Sequence, residues 1–540
     1  MKKHAFILIS FACLLSSIQA QNIINVKDIN VNSSGSYPFD FTIANNKLFF
    51  LAQDDISGYS LWVTTGSGSN TKKLSPANPG VTIADIIAYN NKIYFSYDDG
   101  LHGYELWVSD GTRGGTILFK DLYPGITGSY PQAFTVANNK LFFMGSGVNG
   151  ERRLYVSDGT IAGTKIIRDY FINIFNGMTD FAVLNNDIYF SSSDDAGNAG
   201  LWKSNGTTAG TKVVKTNFSP GVTGCNYAVL NNQLYFSGFD YTNGSELWVT
   251  GGTAGSTHLV KNLRADGGGI LNGGNPNNLI VYNNRVYFGA QDDAHGYELF
   301  STNGTAAGTQ LVKDIVPGTA GSLPYGSIVF KNLLYFVCIN TQQLWKTDGT
   351  IAGTKLVKGG LHDARIGNQW KNKLYLVVDN DYRVWESNGT SAGTKVLQPD
   401  NTGNPVYSLN NGFQFLEYKT ELYFSGSSYP VTLGYELCKL TTASSLLSLG
   451  DITPGALQTA HRITANFTAL YNAANKEIII NNDSQINCNW KLFSINGGLL
   501  KQGRSTAAII NIATTGIAAG TYFLVCASSF RTEKIQLAIY

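Results

Sequence analysis

Short apolar runs alternate with clusters of Asn, Asp and Gly along most of the 540-residue chain. Runs of this kind, rich in β-branched and aromatic residues and bounded by turn residues, are typical of β-strands. One turn-plus-strand phrase begins nine units whose starts are separated by 40 to 52 residues: NNKLFF (45–50), NNKIYF (90–95), NNKLFF (138–143), NNDIYF (185–190), NNQLYF (231–236), NNRVYF (283–288), KNLLYF (331–336), KNKLYL (371–376) and KTELYF (419–424). A repeat of this length is typical of propeller blades.

Each unit contains four strand-like segments. In the third unit they are AFTVA (133–137), LFFMG (141–145), LYVS (154–157) and TKIIRD (164–169). Because four antiparallel strands make one blade, the pattern predicts an all-β chain with a single large β-propeller of four-stranded blades.

The two ends of the repeat region leave the number of blades at eight or nine. Residues 24–46 match residues 117–139, so the region begins with the closing strand of a unit. Propellers often complete their last blade with such a first strand, which removes an open sheet edge. The final unit also has its own closing segment, LLSLGDITPG (446–455), which leaves one strand surplus. An uncapped solenoid is the structural alternative.

The phrase ELWVSDGTRGGTILFKDL (105–122) returns in most units, and its residue types predict a structural role. An Asp, Asn or Gly followed by Gly favours a tight turn. The aromatic position before that turn holds Trp62, Trp107, Tyr155, Trp202, Trp248, Phe300, Trp345 and Trp385, with Cys438 as the exception. One large ring per unit predicts packing between neighbouring blades rather than a carbohydrate-stacking platform, which would need only a few exposed rings.

The segments ELWVSDGT, QLWKTDGT and ELFSTNGT, each followed by a Gly-Thr and a Lys-containing strand, resemble the ELWxxDGT repeat proteins of secreted bacterial origin. The resemblance covers residues 22–455. It implies an exported, propeller-like protein. It implies no enzymatic reaction, so it identifies no catalytic residue in this chain.

After Gly455 the repeat stops, and wider-spaced strands follow: KEIIIN (476–481), WKLFSIN (490–496), AAIINIA (507–513), GTYFLVCAS (520–528) and KIQLAIY (534–540). This spacing predicts a small β-sandwich. The segments WKLFSINGGLLKQG, IAAGTYFLV and TEKIQLAIY resemble the C-terminal sorting domain of the type IX secretion system, although Tyr471-Asn472-Ala473-Ala474 stands where that family reads Tyr-Pro-Asn-Pro. The resemblance implies delivery across the outer membrane, with the secretion machinery as a partner. The predicted organisation is a propeller at 21–455, a linker at 456–465 and the sorting domain at 466–540.

The N-terminus has the form of a secretory signal peptide, with Lys2 and Lys3 before an apolar stretch and a small residue, Ala20, at the predicted cleavage site. Residues 1–20 are therefore expected to be removed. No later stretch approaches about 18 uninterrupted apolar residues, so no transmembrane segment is expected in the mature chain. The formal net charge of +2 gives no electrostatic footprint for nucleic acid.

Five cysteines remain after residue 20: Cys225, Cys338, Cys438, Cys488 and Cys526. They are few and widely spaced, which favours buried free thiols over a disulfide framework or a metal site. Cys488 and Cys526, both in the C-terminal segment, are the one pair to test for a disulfide.

The sequence offers little catalytic chemistry. The histidines His4, His102, His258, His295, His362 and His461 are scattered without metal-ligand spacing, and none of the common hydrolase, zinc-protease or nucleotide-binding motifs occurs. We therefore predict no catalytic residue, no cofactor and no metal site, and the ligand-binding residues are unknown at this stage.

Two features remain as candidate sites. Acidic pairs recur between the second and third strands of a unit, at Asp54-Asp55, Asp98-Asp99, Asp194-Asp195 and Asp292-Asp293. Calcium prefers such carboxylates, but acidic residues are ordinary in turns, and the turn interpretation is preferred. The segment LHDARIGNQW (361–370) replaces the usual Pro-Gly-Ser loop with His362, Asp363, Arg365 and Trp370. Drift in a shortened unit is favoured there over a ligand-binding rim.

These observations predict an exported, non-enzymatic protein, secreted or held at the cell surface after passage through the periplasm, whose propeller binds an extracellular glycan or protein. Some propellers cleave polysaccharides, so a secreted glycan-active hydrolase or lyase is the alternative. A structural adhesin without a small ligand is a third hypothesis.

Overall fold

The computed structural model describes residues 21–31, 35–54, 58–76, 83–147, 152–171, 181–193, 197–220, 227–264, 272–378, 382–398, 406–408, 414–428, 434–442, 467–472, 477–482, 488–494, 499–505, 509–515, 517–518, 520–527 and 532–539. The chain divides into two compact units, Met1–Leu446 and Leu447–Tyr540. The predicted signal peptide and the predicted linker at 456–465 lie outside the described residues.

The first unit is built from antiparallel sheets that follow one another along the chain, in the order that the repeat predicts. Strand β1 (Gln21–Lys27) comes first along the chain and belongs to the last blade. The strands of the first five blades are β2 (Phe39–Ala44), β3 (Lys47–Gln53), β4 (Tyr59–Thr64), β5 (Lys72–Lys73), β6 (Ala84–Tyr89), β7 (Lys92–Asp98), β8 (Tyr104–Ser109), β9 (Ile117–Lys120), β10 (Gln132–Ala137), β11 (Lys140–Ser146), β12 (Arg152–Ser157), β13 (Lys165–Phe171), β14 (Ala182–Leu184), β15 (Asp187–Ser193), β16 (Ala199–Ser204), β17 (Lys212–Thr216), β18 (Ser219–Pro220), β19 (Ala228–Leu230), β20 (Gln233–Asp240), β21 (Gly244–Thr250) and β22 (His258–Lys261).

The remaining blades continue in the same way, and two short 3₁₀ helices lie at Gly68–Asn70 and Ala254–Ser256. The strands are β23 (Asn277–Tyr282), β24 (Arg285–Asp292), β25 (Gly296–Thr302), β26 (Gln310–Lys313), β27 (Pro324–Phe330), β28 (Leu333–Cys338), β29 (Gln343–Thr347), β30 (Lys355–Gly359), β31 (Arg365–Trp370), β32 (Lys373–Val378), β33 (Arg383–Ser387), β34 (Thr394–Val396), β35 (Val406–Ser408), β36 (Leu416–Tyr418), β37 (Glu421–Ser428) and β38 (Glu436–Thr442).

The last blade is completed by the first strand of the described chain. Strand β1 pairs antiparallel with β38, from Gln21 opposite Thr442 to Asn25 opposite Cys438. With β1 as its fourth strand, the blade formed by β36, β37 and β38 is the ninth in the described part of the unit. The ring is therefore a closed nine-bladed β-propeller, and the solenoid alternative is wrong. The surplus strand predicted at 446–455 lies outside the described residues.

The hydrophobic core lies between the blades rather than within them. Trp107 of the second blade packs with Phe49 of the first blade, and each later pair of neighbouring blades shares a cluster of this kind. The cluster that closes the ring joins Phe41 and Trp62 of the first blade to Tyr423 of the ninth. The predicted packing role of the repeated aromatic position is confirmed, because Trp62, Trp107, Trp202 and Trp248 are buried in these clusters.

The DGT turn of the repeat is a small hydrogen-bonded unit. In the second blade, the Asp110 carboxylate accepts hydrogen bonds from the backbone N–H of Thr112 (2.8 Å) and from its hydroxyl (2.7 Å). The same geometry recurs at Asp158, Asn205, Asn303, Asp348 and Asn388. A Cβ on Gly115 would lie 2.2 Å from the Asp110 carboxylate, which explains why a glycine stands five residues after the Asp.

The fifth blade reverses this arrangement. Gly251 takes the position of Asp110, and Ser256 takes the position of Gly115. The Ser256 hydroxyl then accepts hydrogen bonds from the backbone N–H groups of Gly251 and Thr253, both at 3.1 Å, and so replaces the missing carboxylate. Only one of the two turn positions has room for a side chain. The loss of the Asp at Gly251 is therefore compensated by the gain of a side chain at Ser256.

The DGT turns also fasten each blade to its neighbour. The Gly252 turn of the fifth blade lies against the Tyr189 hydroxyl of the fourth, and Lys120 of the second blade donates to the Thr164 carbonyl of the third. Equivalent lysine bonds join Lys261 to Thr309 and Lys313 to Thr354. The Lys of the repeated phrase therefore caps the Gly-Thr end of the next blade's turn.

The second unit is a small β-sandwich, as predicted. One sheet contains β39 (Phe467–Asn472), β40 (Glu477–Asn482) and β43 (Ile509–Ala513), and the other contains β41 (Cys488–Ser494), β42 (Leu499–Ser505), β44 (Gly520–Ala527) and β45 (Thr532–Ile539). Ile478, Ile480, Ile510 and Ile512 of the first sheet form one core with Leu492, Tyr522 and Leu524 of the second. The strand register places Cys526 opposite Trp490.

Candidate functional site

The strand order assigns the variable segments to one face of the propeller. Because consecutive strands run in opposite directions, the turns between strands one and two and between strands three and four share a face, and these turns are nearly constant in length. The hairpins between strands two and three and the crossovers between blades share the other face, which we call the crossover face. Its segments vary, from residues 121–131 after the second blade to residues 262–276 after the fifth. A ligand site specific to this chain is therefore expected on the crossover face.

A buried glutamate holds the crossover in several blades. Glu105 is fully buried, and its carboxylate accepts hydrogen bonds from the Leu122 N–H (2.8 Å), the Tyr123 N–H (3.1 Å) and the Ser129 hydroxyl (2.7 Å). Burial raises the pKa of the Glu105 carboxyl, while these three donated bonds act in the opposite direction. The sequence alone assigns no role to the Glu of the ELW phrase. The structure shows that this Glu binds the crossover to the next blade.

Three other blades use the same arrangement, with Glu246, Glu298 and Glu436 at the equivalent position. Glu298 accepts from the Val316 N–H, the Ser322 N–H and the Ser322 hydroxyl. These contacts place the end of each crossover beside the ELW strand.

The fourth blade is one of five that lack this glutamate, and it is the one blade with a glycine, Gly200, at that position. A Cβ on Gly200 would lie 2.3 Å from the Lys215 carbonyl, so the strand pair leaves no room for a side chain. At its start this crossover forms the short strand β18. Strand β18 pairs with β20, and Ser219 lies opposite Phe239.

A cavity of about 270 Å³ opens beside this strand, between the fourth and fifth blades. Its base includes Phe218, which is buried and stacks on Trp248 with the ring centroids 4.6 Å apart. The lining residues are Gly197, Asn198, Ala199, Asn217, Phe218, Ser219, Phe239 and Tyr241. None of these described lining residues carries an ionisable acid or base, apart from the Tyr241 phenol.

Tyr241 stands at the edge of this cavity with 76% of its surface exposed. Its ring meets the buried Phe239 ring edge to face at 5.1 Å. The hairpin that carries Tyr241 is capped by Asp240, whose carboxylate accepts from the backbone N–H groups of Thr242 (2.8 Å) and Asn243 (2.7 Å). An exposed ring on a fixed turn, beside amide and hydroxyl groups, is suited to binding rather than to proton transfer or nucleophilic attack.

The innermost strands form a second, less defined surface. Strands β6 and β10 are joined by a bond from the Ala133 N–H to Asp85 (2.9 Å), which is expected only near the axis, where blades are closest. These first strands carry an exposed aliphatic residue near their ends, at Ile43, Val136, Val183 and Val229. Gln369 and Glu417 take this position in the eighth and ninth blades.

The acidic pairs cap hairpins in the described part of the chain. Asp99 accepts from the Leu101 and His102 backbone N–H groups and pairs with the His102 ring at 2.8 Å, and Asp292 binds His295 in the same way. The Asp carboxylates raise the pKa of both histidines, and the largest cause is the hydrogen bond that each imidazole makes to its carboxylate. Asp54 forms an ion pair with Lys73. Asp55, Asp194 and Asp195 lie outside the described residues.

The structure does not assemble segment 361–370 into a ligand rim. Trp370 is 2% exposed and belongs to the core between the eighth and ninth blades. No hydrogen bond or ion pair in the described part of the chain joins His362, Asp363 and Arg365. Among the residues that the structure describes, no group of three or more His, Cys, Asp and Glu side chains is placed to hold a metal ion.

Two of the cysteines are buried free thiols, as predicted. Burial raises the pKa of Cys338 and of Cys438 to about 12, so both remain protonated at neutral pH. Cys225 lies outside the described residues.

Fold and site together define an all-β propeller protein with a C-terminal β-sandwich. No family model and no curated protein matches the sequence. Similar solved structures include a prolyl endopeptidase (10% identity, 65% of this chain and 54% of that chain, TM-score 0.35) and AztD from Citrobacter koseri (13% identity, 72% and 97%, TM-score 0.35). A third is PorZ of Porphyromonas gingivalis, a surface component of the type IX secretion system (12% identity, 94% and 82%, TM-score 0.27).

The chain spans about half the length of the prolyl endopeptidase. These similarities are low, and the fold assignment rests on the strand pairing described above. Within the described residues, no helix has the length and apolar character needed to cross a membrane.

Proposed function

We propose that this chain is an exported, non-enzymatic binding protein whose propeller binds an extracellular glycan or protein on the crossover face. The observation that carries the proposal is the cavity between the fourth and fifth blades, which opens where Gly200 replaces the crossover-binding glutamate. A binding site in a repeat protein is expected where a unit departs from the repeat, because the regular units serve the scaffold. Five of the nine blades lack the glutamate, and Gly200 is the one residue at this position without a side chain. The resemblance to the secreted ELWxxDGT repeat proteins is consistent with this role.

The C-terminal sandwich is proposed to direct export through the type IX secretion machinery. Its supports are the resemblance of residues 490–540 to the sorting domain and the presence of a separate compact unit with its own core. The protein would then pass through the periplasm and be secreted or held on the outer face of the outer membrane. Nucleic acid is not a proposed partner.

Binding without cleavage is the expected behaviour of the full chain on polysaccharides. Pull-down on insoluble or immobilised glucan, mannan, xylan and polygalacturonate should retain the protein on at least one of the four. Assays of new reducing ends, which report hydrolases, and of ultraviolet-absorbing unsaturated products, which report lyases, should stay at the level of the buffer. Product release that depends on the protein would overturn the non-enzymatic proposal in favour of a glycan-active enzyme.

Deletion of residues 447–540 is expected to leave the protein in the periplasm. The sandwich has a core of its own, and the core clusters of the propeller contain no described residue of the sandwich, so the truncated chain is expected to fold and accumulate rather than be degraded. Cell fractionation with surface protease digestion would measure this, and the matched gain-of-function control is an unrelated exported reporter fused to residues 447–540. Normal surface delivery of the truncated chain would contradict the sorting role.

A further inference from the structure

Tyr241 differs in residue type from the residues at the equivalent position of other hairpins. The equivalent position is Gly100 in the second blade and Asp293 in the sixth, both ordinary turn residues. In the fifth blade this position holds a tyrosine whose ring is largely exposed. The aromatic residues that do repeat from blade to blade are instead used for packing between blades. Since the Asp240 cap fixes the turn, little conformational freedom would be lost when a ligand covers the ring.

The polar groups beside the ring are neutral. Asn198 and Asn217 are exposed and contribute amides, and Ser219 contributes a hydroxyl, so the lining can both donate and accept hydrogen bonds. The described lining has no Lys or Arg to balance a phosphate or carboxylate and no Asp or Glu to balance a cation. Among these described residues a charged ligand would find no opposite charge to replace its hydration, so the described lining favours a neutral polar ligand.

The volume of the cavity limits its ligand to a small group. Its volume of about 270 Å³ lies just below the roughly 300–1,000 Å³ of pockets that bury drug-sized ligands. One six-membered sugar ring has the required properties, because its C–H face packs on an aromatic ring while its hydroxyls bind amides around the edge. The open side of the cavity would let the rest of a glycan chain continue into solvent.

We propose that the cavity between the fourth and fifth blades binds one neutral sugar residue of an extracellular glycan, stacked on Tyr241 and hydrogen-bonded by Asn198 and Asn217. This inference rests on the proposed binding function and names its ligand class and its site.

The test compares two tyrosine substitutions in the full chain. Affinity for neutral glucan, mannan and xylan, and for the acidic polygalacturonate, is measured by affinity electrophoresis and by titration calorimetry with soluble oligosaccharides. Tyr241→Ala should weaken binding of a neutral glycan at least tenfold, while Tyr241→Phe should retain most of it because the stacking face remains. Tyr325→Ala, which removes another exposed tyrosine that is not among the lining residues of the cavity, should leave the affinity unchanged.

The outcomes separate this inference from the proposed function. If a neutral glycan binds equally well to Tyr241→Ala, the cavity assignment is wrong while the binding function stands. Binding confined to polygalacturonate, to a nucleoside or to a protein partner would overturn the neutral-sugar assignment, and so would binding to none of the four polysaccharides. Release of products from any glycan would instead overturn the proposed non-enzymatic function itself.

Discussion

Replacing Glu436 with alanine is expected to release the N-terminal segment from the ninth blade. The Glu436 carboxylate is buried and accepts hydrogen bonds from the Ile29 N–H (3.0 Å), the Ser36 N–H (3.0 Å) and the Ser36 hydroxyl (2.6 Å). These bonds join residues about 400 positions apart and hold the chain that continues from β1. Alanine would leave the donors buried and unpaired, at roughly 1–3 kcal/mol each. We expect a loss of about 4 kcal/mol in the free energy that keeps the ring closed.

Hydrogen exchange is the measurement that locates this loss. Protection of the β1 amides should fall by about a thousandfold, since every 1.4 kcal/mol corresponds to a factor of about ten. Glu105→Ala is the matched control, because it removes an equally buried carboxylate that binds a crossover between adjacent blades. It should expose the amides of Leu122 and Tyr123 and leave β1 protected. Unchanged protection of β1 in Glu436→Ala would show that strand pairing alone closes the ring.

Glu436 also shows why the blade number could not be predicted from the sequence. Strand and turn residues are local signals, so the four-stranded unit and the nine starts could be recognised from apolar runs and Asn-Asn turns. Closure depends instead on the pairing of β1 with β38, and two segments, 24–46 and 446–455, both looked like closing strands. The pairing of β1 with β38 and the hydrogen bonds from Ile29 and Ser36 to Glu436 identify the N-terminal strand as the one that closes the ring.

The candidate site was missed for a different reason. The sequence pointed to segment 361–370 as the clearest departure from the repeat, with drift favoured there over a ligand-binding rim, whereas the cavity forms where a side chain is absent. The signal was present in one aligned column, which reads Ser60, Glu105, Arg153, Gly200, Glu246, Glu298, Gln343, Arg383 and Glu436. The effect of a glycine at this position can be recognised only once the glutamates of the other blades are seen to bind the crossovers. Those contacts join residues that are distant in sequence, so the sequence alone does not reveal them.

Replacing Gly252 with alanine is expected to destabilise the propeller by about 3 kcal/mol. Gly252 has a φ of +92°, which costs an L-residue roughly 1–2 kcal/mol. In addition, a Cβ would lie 2.4 Å from the Tyr189 hydroxyl of the neighbouring blade, so the two blades would have to move apart. Urea denaturation followed by tryptophan fluorescence would report the change through Trp202 and Trp248, which are buried on either side of this turn.

The same turn supplies the matched control. Gly255 lies three residues further on, and a Cβ there would meet nothing within 4 Å, so Gly255→Ala should be neutral or stabilising by up to about 1 kcal/mol. Combining Gly252→Ala with Tyr189→Phe should recover the steric part of the loss, since the hydroxyl is the atom in closest contact and the ring carbon beside it is 3.6 Å away. The backbone part should persist in the double variant. If alanine at 252 and alanine at 255 changed the free energy of unfolding equally, Gly252 would be needed only for the conformation of its own turn. The expected difference would show that Gly252 also allows the neighbouring blades to pack closely.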